Sequence, residues 1–243
     1  MSADFYNVYD DMERADAYAK LEFPGTYFLA YRDLPAIIGK VVAGGSAMDF
    51  GCGTGRSTRF LSRMGFEPVI GVDISAQMIR RAEQSDAGSQ YLLIQDNNFS
   101  ALKDQKFDFI SAIFTFDNIP TAGKLSCLQA LKPLLEDHGH LLVLVSRPEI
   151  YRNEWASFST KDYVENQVAN SGDPVRIVML DVEDQRPVED ILFTASSYRQ
   201  LFDQAGLQVR ECFQPLGKAT EPIEWVSETT IAPWAIYLLQ AKV

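Results

Sequence analysis

Cysteine is scarce and none of it is paired: Cys52, Cys127 and Cys212 are scattered and odd in number. That argues against a disulfide framework and against a zinc ribbon. No metal is expected, and a reducing cytoplasm is the expected setting. Long apolar runs are missing too. The longest aliphatic stretch, Leu141 to Val145, falls far short of a bilayer span, and the first twenty residues hold neither a basic start nor an apolar stretch. Neither a membrane span nor a targeting signal is therefore expected. Basic residues are outnumbered, 22 Lys and Arg against 33 Asp and Glu, for a net charge of -11. Such a surface repels phosphate backbones and anionic membranes, so nucleic acid and membrane are not expected partners.

What is present suffices for a core. The 243 residues are 47% hydrophobic, which fits one large domain over 1–243 better than two. Residues 17–42 carry apolar side chains at roughly helical intervals broken at Pro24-Gly25 and near Pro35, so 1–45 reads as a helical cover. Five short apolar runs follow, at Ala47–Phe50, Pro68–Val72, Tyr91–Ile94, Phe107–Phe114 and His140–Val145. Helical patterns at Ser57–Met64, Ser75–Gln84 and Ala122–Leu135 separate them, the last ending near His138-Gly139. Strands of buried type alternating with helices predict a parallel sheet covered on both faces, an α/β doubly wound fold. The pattern changes over 147–194, where aromatics sit among polar residues and two strands, Arg176–Val182 and Val188–Thr194, flank an acidic turn. This reads as an inserted lid after the fifth strand. A helix at Ser197–Ala205 and strands at Leu207–Phe213 and Trp234–Gln240 complete the chain.

Asp49-Phe50-Gly51-Cys52-Gly53-Thr54-Gly55 follows the first strand and opens a helix, the setting in which a glycine loop signifies ligand binding. A dinucleotide fingerprint would need its third glycine where Arg56 stands, which opposes a nicotinamide oxidoreductase. Asp49 suits a cationic ligand. Asp73 ends the second apolar run, about 20 residues past the loop, where an acid accepts ribose hydroxyls. Asp96 ends the third, placed to accept from an adenine amino group. Three acids at three successive strand ends border the ligand crevice of an open α/β sheet.

From about Ser46 to Ser146 the combination resembles class I S-adenosylmethionine-dependent methyltransferases, and the C-terminal segments around Trp225 and Trp234 look like small-molecule members from bacterial secondary metabolism. The resemblance implies a mostly parallel seven-stranded sheet, ordered 3-2-1-4-5-7-6 with its last strand antiparallel. It implies S-adenosylmethionine as cofactor and S-adenosylhomocysteine as product. It also implies that the Gly51, Cys52 and Gly53 backbone lies along methionine and ribose, and that Asp73 holds the ribose. Ile74 and Met78 would pack on adenine, Asp96 and Asn97 meet its edge, and Phe114 sit beside the donor. Asp117-Asn118 stand where relatives often have paired histidines.

The expected activity is methyl transfer to a small molecule. A cofactor-binding protein without transfer, and an enzyme using the cofactor as a scaffold for rearrangement, are the alternatives. Asp117 is the candidate for proton handling, and Asn118 the candidate for acceptor contact. Tyr9, Tyr27, Tyr151, Trp155 and Trp225 are candidates to wall an aromatic acceptor pocket, and Arg147 to meet a carboxylate. Cys52 reads as a small residue among glycines rather than a nucleophile. His138 and His140 precede the fifth strand, away from the crevice. The acidic run Asp181–Asp190 reads as an exposed hairpin turn.

Overall fold

Side chains along the central strands point alternately into two separate apolar layers. The computed structural model describes residues 25–242, so Tyr9 and the first part of the 1–45 cover lie outside the described residues. The strands are β1 (Gly45–Phe50), β2 (Phe66–Asp73), β3 (Gln90–Leu93), β4 (Phe107–Ile113), β5 (Leu135–Ser146), β6 (Phe158–Ser159), β7 (Pro174–Met179), β8 (Val188–Ile191), β9 (Leu207–Phe213) and β10 (Trp234–Ala241). The α-helices are α1 (Thr26–Arg32), α2 (Leu34–Gly39), α3 (Arg56–Arg63), α4 (Ala76–Ser85), α5 (Thr115–Asn118), α6 (Thr121–Leu131) and α7 (Ala195–Gln204).

Seven strands form one sheet in the order β3-β2-β1-β4-β5-β10-β9. All central pairings are parallel, and β10 runs antiparallel to both β5 and β9. This is the doubly wound α/β sheet, with the antiparallel last strand that the resemblance implies. Leu142 and Leu144 of β5, with Ile236 and Leu238 of β10, enter the layer that holds α1, α2 and Trp155. Leu141, Val143 and Val145, with Tyr237 and Leu239, enter the opposite layer beneath α6 and α7. Period-two strands covered on both faces read in sequence as unbroken apolar runs, which is what made them visible.

Two boundaries move. The fifth strand begins at Leu135, where the sequence suggested a helix end near His138-Gly139, because Leu135 already pairs with Phe107 of β4. The segment after β5 holds β6, β7 and β8, a separate antiparallel three-stranded sheet, whose first strand has too few residues to show a pattern. Val175, Ile177, Met179 and Val188 from this small sheet pack into the α1 side of the core. Among the described residues no helix is long and apolar enough to cross a membrane.

Candidate active site

The loop after β1 turns so tightly because Gly51, Gly53 and Gly55 all take positive φ (74°, 52° and 80°), a region that L side chains avoid. The Gly51 and Cys52 amides donate to the Val72 carbonyl at 2.8 and 3.0 Å, which fixes the loop over the end of β2. At Gly51 an added Cβ would stand 2.3 Å from Thr115 Cγ2, so the loop lies against α5. A Cβ at Gly53 would meet nothing within 4 Å, although Gly53 lines a cavity. The space beside it is left open to a ligand.

Asp49 does not face that cavity. Its carboxylate is fully buried and accepts from Ser57 Oγ (2.5 Å), Thr58 Oγ1 (2.8 Å) and Ser111 Oγ (2.7 Å). The expectation of direct contact with a cationic ligand is corrected: β1 aims this side chain under α3, where it anchors the loop. Burial pushes its pKa up, and the three hydroxyls oppose that shift. Asp73, by contrast, lines the cavity and presents its carboxylate to the loop, accepting from Gly53 N and Ser75 N at 2.8 Å each. Burial raises its pKa, the two amides lower it, and Asp49 adds a further upward push. Ser75 caps α4 through the Met78 amide, which sets Ile74 and Met78 on the cavity wall.

The cavity measures ≈ 410 Å³ and lies along the strand ends. Gly51, Cys52, Gly53, Asp73, Ile74, Met78, Asp96, Asn97 and Phe114 all line it, as do the apolar Ile94, Ile113 and Ile119. Asp96 and Asn97 hold consecutive left-handed conformations (φ 51° and 54°), which short polar side chains tolerate and which turn the chain at the end of β3. Cys52 is buried, and burial lifts its thiol well above its ordinary pKa, with Asp73 and Asp49 adding to the shift. Both influences disfavour the thiolate that a nucleophile would need.

A second cavity adjoins the first, and Phe114 and Asn118 line both. Phe114 takes φ 59°, an unusual conformation for a large side chain, and its ring meets Trp234 (4.8 Å) and Tyr27 (5.7 Å) edge-on. Tyr27, Phe158 and Trp234 form the aromatic side of this second cavity; Asp117, Tyr151 and Asp190 form its polar side. Both Asp117 oxygens accept from the Ser146 amide, at 3.0 and 3.2 Å. The Tyr151 hydroxyl donates to Asp190 Oδ2 at 2.9 Å. Burial and the neighbouring Asp190 lift the Asp117 pKa to about 7, against the Ser146 amide and Lys124. Burial likewise lifts Asp190 to about 6, against the Tyr151 hydroxyl and Lys124. Lys124 is wholly buried on α6, donates to the Phe116 carbonyl, and is pulled down to about 8 by that burial.

A family profile described as a methyltransferase domain matches residues 27–211. The chain belongs to the methyltransferase-domain family. Solved structures support the fold of this methyltransferase at low identity. The CcbJ methyltransferase from Streptomyces caelestis is 17% identical with a TM-score of 0.65, over 98% of this chain and 100% of that one. An S-adenosylmethionine-dependent methyltransferase from Clostridium acetobutylicum is 14% identical with a TM-score of 0.56, over 97% of each chain. A TehB-like methyltransferase from Corynebacterium glutamicum is 14% identical with a TM-score of 0.58, over 96% and 100%. No curated protein matches the sequence significantly. The methyltransferase uses S-adenosylmethionine, and the residues present fit that cofactor. The cavity has apolar lining from Ile74, Met78, Ile94 and Ile113, carries a carboxylate at the end of β2, and is open beside Gly53.

Several expected acceptor residues stand elsewhere in this methyltransferase. Trp155 is 2% exposed in the hydrophobic core, its Nε1 donating to the Ile150 carbonyl at 2.8 Å. Trp225 covers Gly217 and donates to the Lys218 carbonyl at 3.1 Å, lining neither cavity. Arg147 donates to the Ala232 carbonyl at 2.7 Å and pairs with Glu149 at 3.0 Å, so its charge is engaged within the fold. Asp190 was placed in an exposed turn, yet it is 8% exposed and lines the second cavity. The signal was there: Asp190 alternates in phase with buried Val188, and Glu189 between them faces out. Lys124 was also missed, although 124, 127, 128 and 131 form one helical stripe whose other members are apolar.

Proposed function

We propose that this methyltransferase moves a methyl group from S-adenosylmethionine to a small-molecule acceptor held in the second cavity. The observation that carries the reading is the pair of adjoining cavities that share Phe114 and Asn118. Bound in the larger one, the cofactor supplies an electrophilic methyl on a sulfonium, which leaves as a neutral thioether. No protein nucleophile is required, so the chain's residues bind, orient and exclude water. In this assignment the Gly51, Cys52 and Gly53 backbone flanks the methionine and ribose, and Asp73 receives the ribose hydroxyls. Ile74 and Met78 pack on adenine, and Asp96 with Asn97 meets its polar edge. Asp49 acts through the loop it anchors. Phe114 separates donor from acceptor, Tyr27, Tyr151 and Asn118 contact the acceptor, and Asp117 holds the proton that an acceptor must lose.

The segment 147–194 contributes Ile177, Met179, Val188 and Asp190 to the second cavity, which supports a substrate-covering role for it. The acidic balance disfavours nucleic acid as substrate. The test is incubation with methyl-labelled S-adenosylmethionine and a cell extract split into small metabolites, protein and nucleic acid. Label should enter the small-metabolite fraction. Label confined to protein or nucleic acid would overturn the reading. Cofactor binding without any labelling would favour a binding protein instead.

A further inference from the structure

Two carboxylates share the second cavity with no cation on its wall. Among its lining residues there is no lysine, arginine or histidine. Lys124 is the positive group whose charge acts on both acids, and it does not line the cavity. Its ammonium is engaged by the Phe116 carbonyl and stands 5.3 Å from the centre of the Phe193 ring, and among the described residues it forms no ion pair with either acid. The enclosure therefore holds two buried anions and one buried cation. One negative charge is left over when both acids are ionised.

The hydrogen bonding leaves the same deficit. Among the described residues Asp117 draws its donors from Ser146 alone, whose amide is shared between both carboxylate oxygens and whose hydroxyl adds a further hydrogen bond. Asp190 uses Oδ2 for the Tyr151 hydroxyl, and among the described residues its other oxygen has no hydrogen-bond partner, although the residue is only 8% exposed and lines the cavity. Asp190 is buried as a residue but turns this free oxygen to the cavity, where a guest that brings N–H donors and a positive charge stabilises the ionised acid. The rings of Tyr27, Phe158 and Trp234 line the same cavity, and aromatic rings favour a cation over an anion. A neutral hydroxyl would satisfy one oxygen and leave the charge uncompensated.

We propose that the acceptor group received by the second cavity is an amine, bound as its ammonium by Asp117 and Asp190 and freed for reaction by passing one proton to that pair. The proposal rests on the methyl-transfer reading for the reaction but on the cavity alone for recognition. The step balances without any further reagent: the N–H bond breaks, its electron pair stays on nitrogen, and the proton goes to a carboxylate oxygen. In transfer, that lone pair forms the new N–C bond and the C–S pair leaves on sulfur. With Asp117 lifted to about 7 and Asp190 to about 6, the pair can hold a proton near neutral pH.

The experiment measures binding to protein saturated with S-adenosylhomocysteine. Because this cavity measures only ≈ 50 Å³, methylamine, ethylamine and isopropylamine are each compared with the alcohol of the same skeleton by ligand-observed NMR. The amines should bind about tenfold or more tightly than their alcohols, the scale of one charge-assisted hydrogen bond. Asp190→Asn and Asp117→Asn should each collapse that preference, and unchanged S-adenosylhomocysteine affinity shows that the variants fold. Alcohols that bind as well as amines, no amine binding, or a preference that survives in both variants would overturn the proposal. Amines that bind selectively but are never methylated support the recognition and contradict only the transferase reading. Methylated alcohols with no bound amine do the reverse.

Discussion

Ser111 Oγ donates to Asp49 Oδ1 at 2.7 Å across the β1–β4 register, where the two residues sit side by side. The acid that opens the glycine loop is thereby tied sideways into the sheet, and two further hydroxyls from the first turn of α3 tie it upward. Strand, loop and helix meet on one buried carboxylate.

Removing that carboxylate should destabilise the whole protein. Asp49→Ala leaves the Ser57, Thr58 and Ser111 hydroxyls without their common acceptor, so the loss should be about 3 kcal/mol or more. Urea denaturation measures it. A variant within ~0.5 kcal/mol of the parent, the usual range for surface changes, would mean that the loop does not depend on Asp49.

The buried acids give stability a defined pH slope. The folded pKa values of Asp117 (about 7) and Asp190 (about 6) lie above the unfolded value of about 4, so the native state holds the extra proton between them. Their contribution is complete below about pH 4 and is lost as pH rises through about 7, at up to about 1.4 kcal/mol per pH unit for each proton. Asp49 and Asp73, also raised by burial, slope the same way. The double variant Asp117→Asn, Asp190→Asn should flatten the slope in denaturation series between pH 4.5 and 7. An identical slope in parent and variant would show that the pair does not titrate in this window.

Two glycines of one loop should respond differently to alanine. Gly51→Ala drives a Cβ into Thr115 at 2.3 Å as well as straining a φ of 74°, so stability and cofactor affinity should fall together. Gly53→Ala meets no protein atom within 4 Å. Its cost to folding should be only about 1 kcal/mol, from the left-handed backbone, while S-adenosylhomocysteine binding suffers more. Thermal melts with and without S-adenosylhomocysteine separate the two effects, and equal behaviour of the two variants would place the ligand away from Gly53.

The glycine loop and Asp73 were legible because each is a local device: a turn that needs glycine and an acid at a strand end. The polar side of the second cavity was not. Asp117 and Asp190 are 73 positions apart and meet only because β8 folds back from the separate sheet onto α5. Trp155 and Tyr151 show the same limit from the other direction. Both are aromatic, four residues apart and 2% exposed, yet one hydroxyl reaches Asp190 and one indole ends on a backbone carbonyl. Sequence pattern marks burial but does not say which buried polar atom faces a cavity.

That difference is testable by matched conservative changes. Tyr151→Phe removes the hydroxyl on Asp190 and should lower turnover of any identified acceptor severalfold, leaving S-adenosylhomocysteine affinity unchanged. Trp155→Phe should cost roughly 1 kcal/mol of stability through its lost hydrogen bond and leave turnover unaffected. The opposite pattern would put Trp155 in the acceptor site and Tyr151 in the core.

Calorimetric titration of S-adenosylhomocysteine, with NAD as the control ligand, tests the central claim most directly. The parent protein should bind one S-adenosylhomocysteine per chain and no NAD. Asp73→Ala should weaken binding about tenfold or more, since it removes charge-assisted hydrogen bonds worth roughly 1.5–3 kcal/mol each. Tighter binding of NAD than of S-adenosylhomocysteine, or an unchanged affinity in Asp73→Ala, would contradict the assignment of this cavity to the methyl donor.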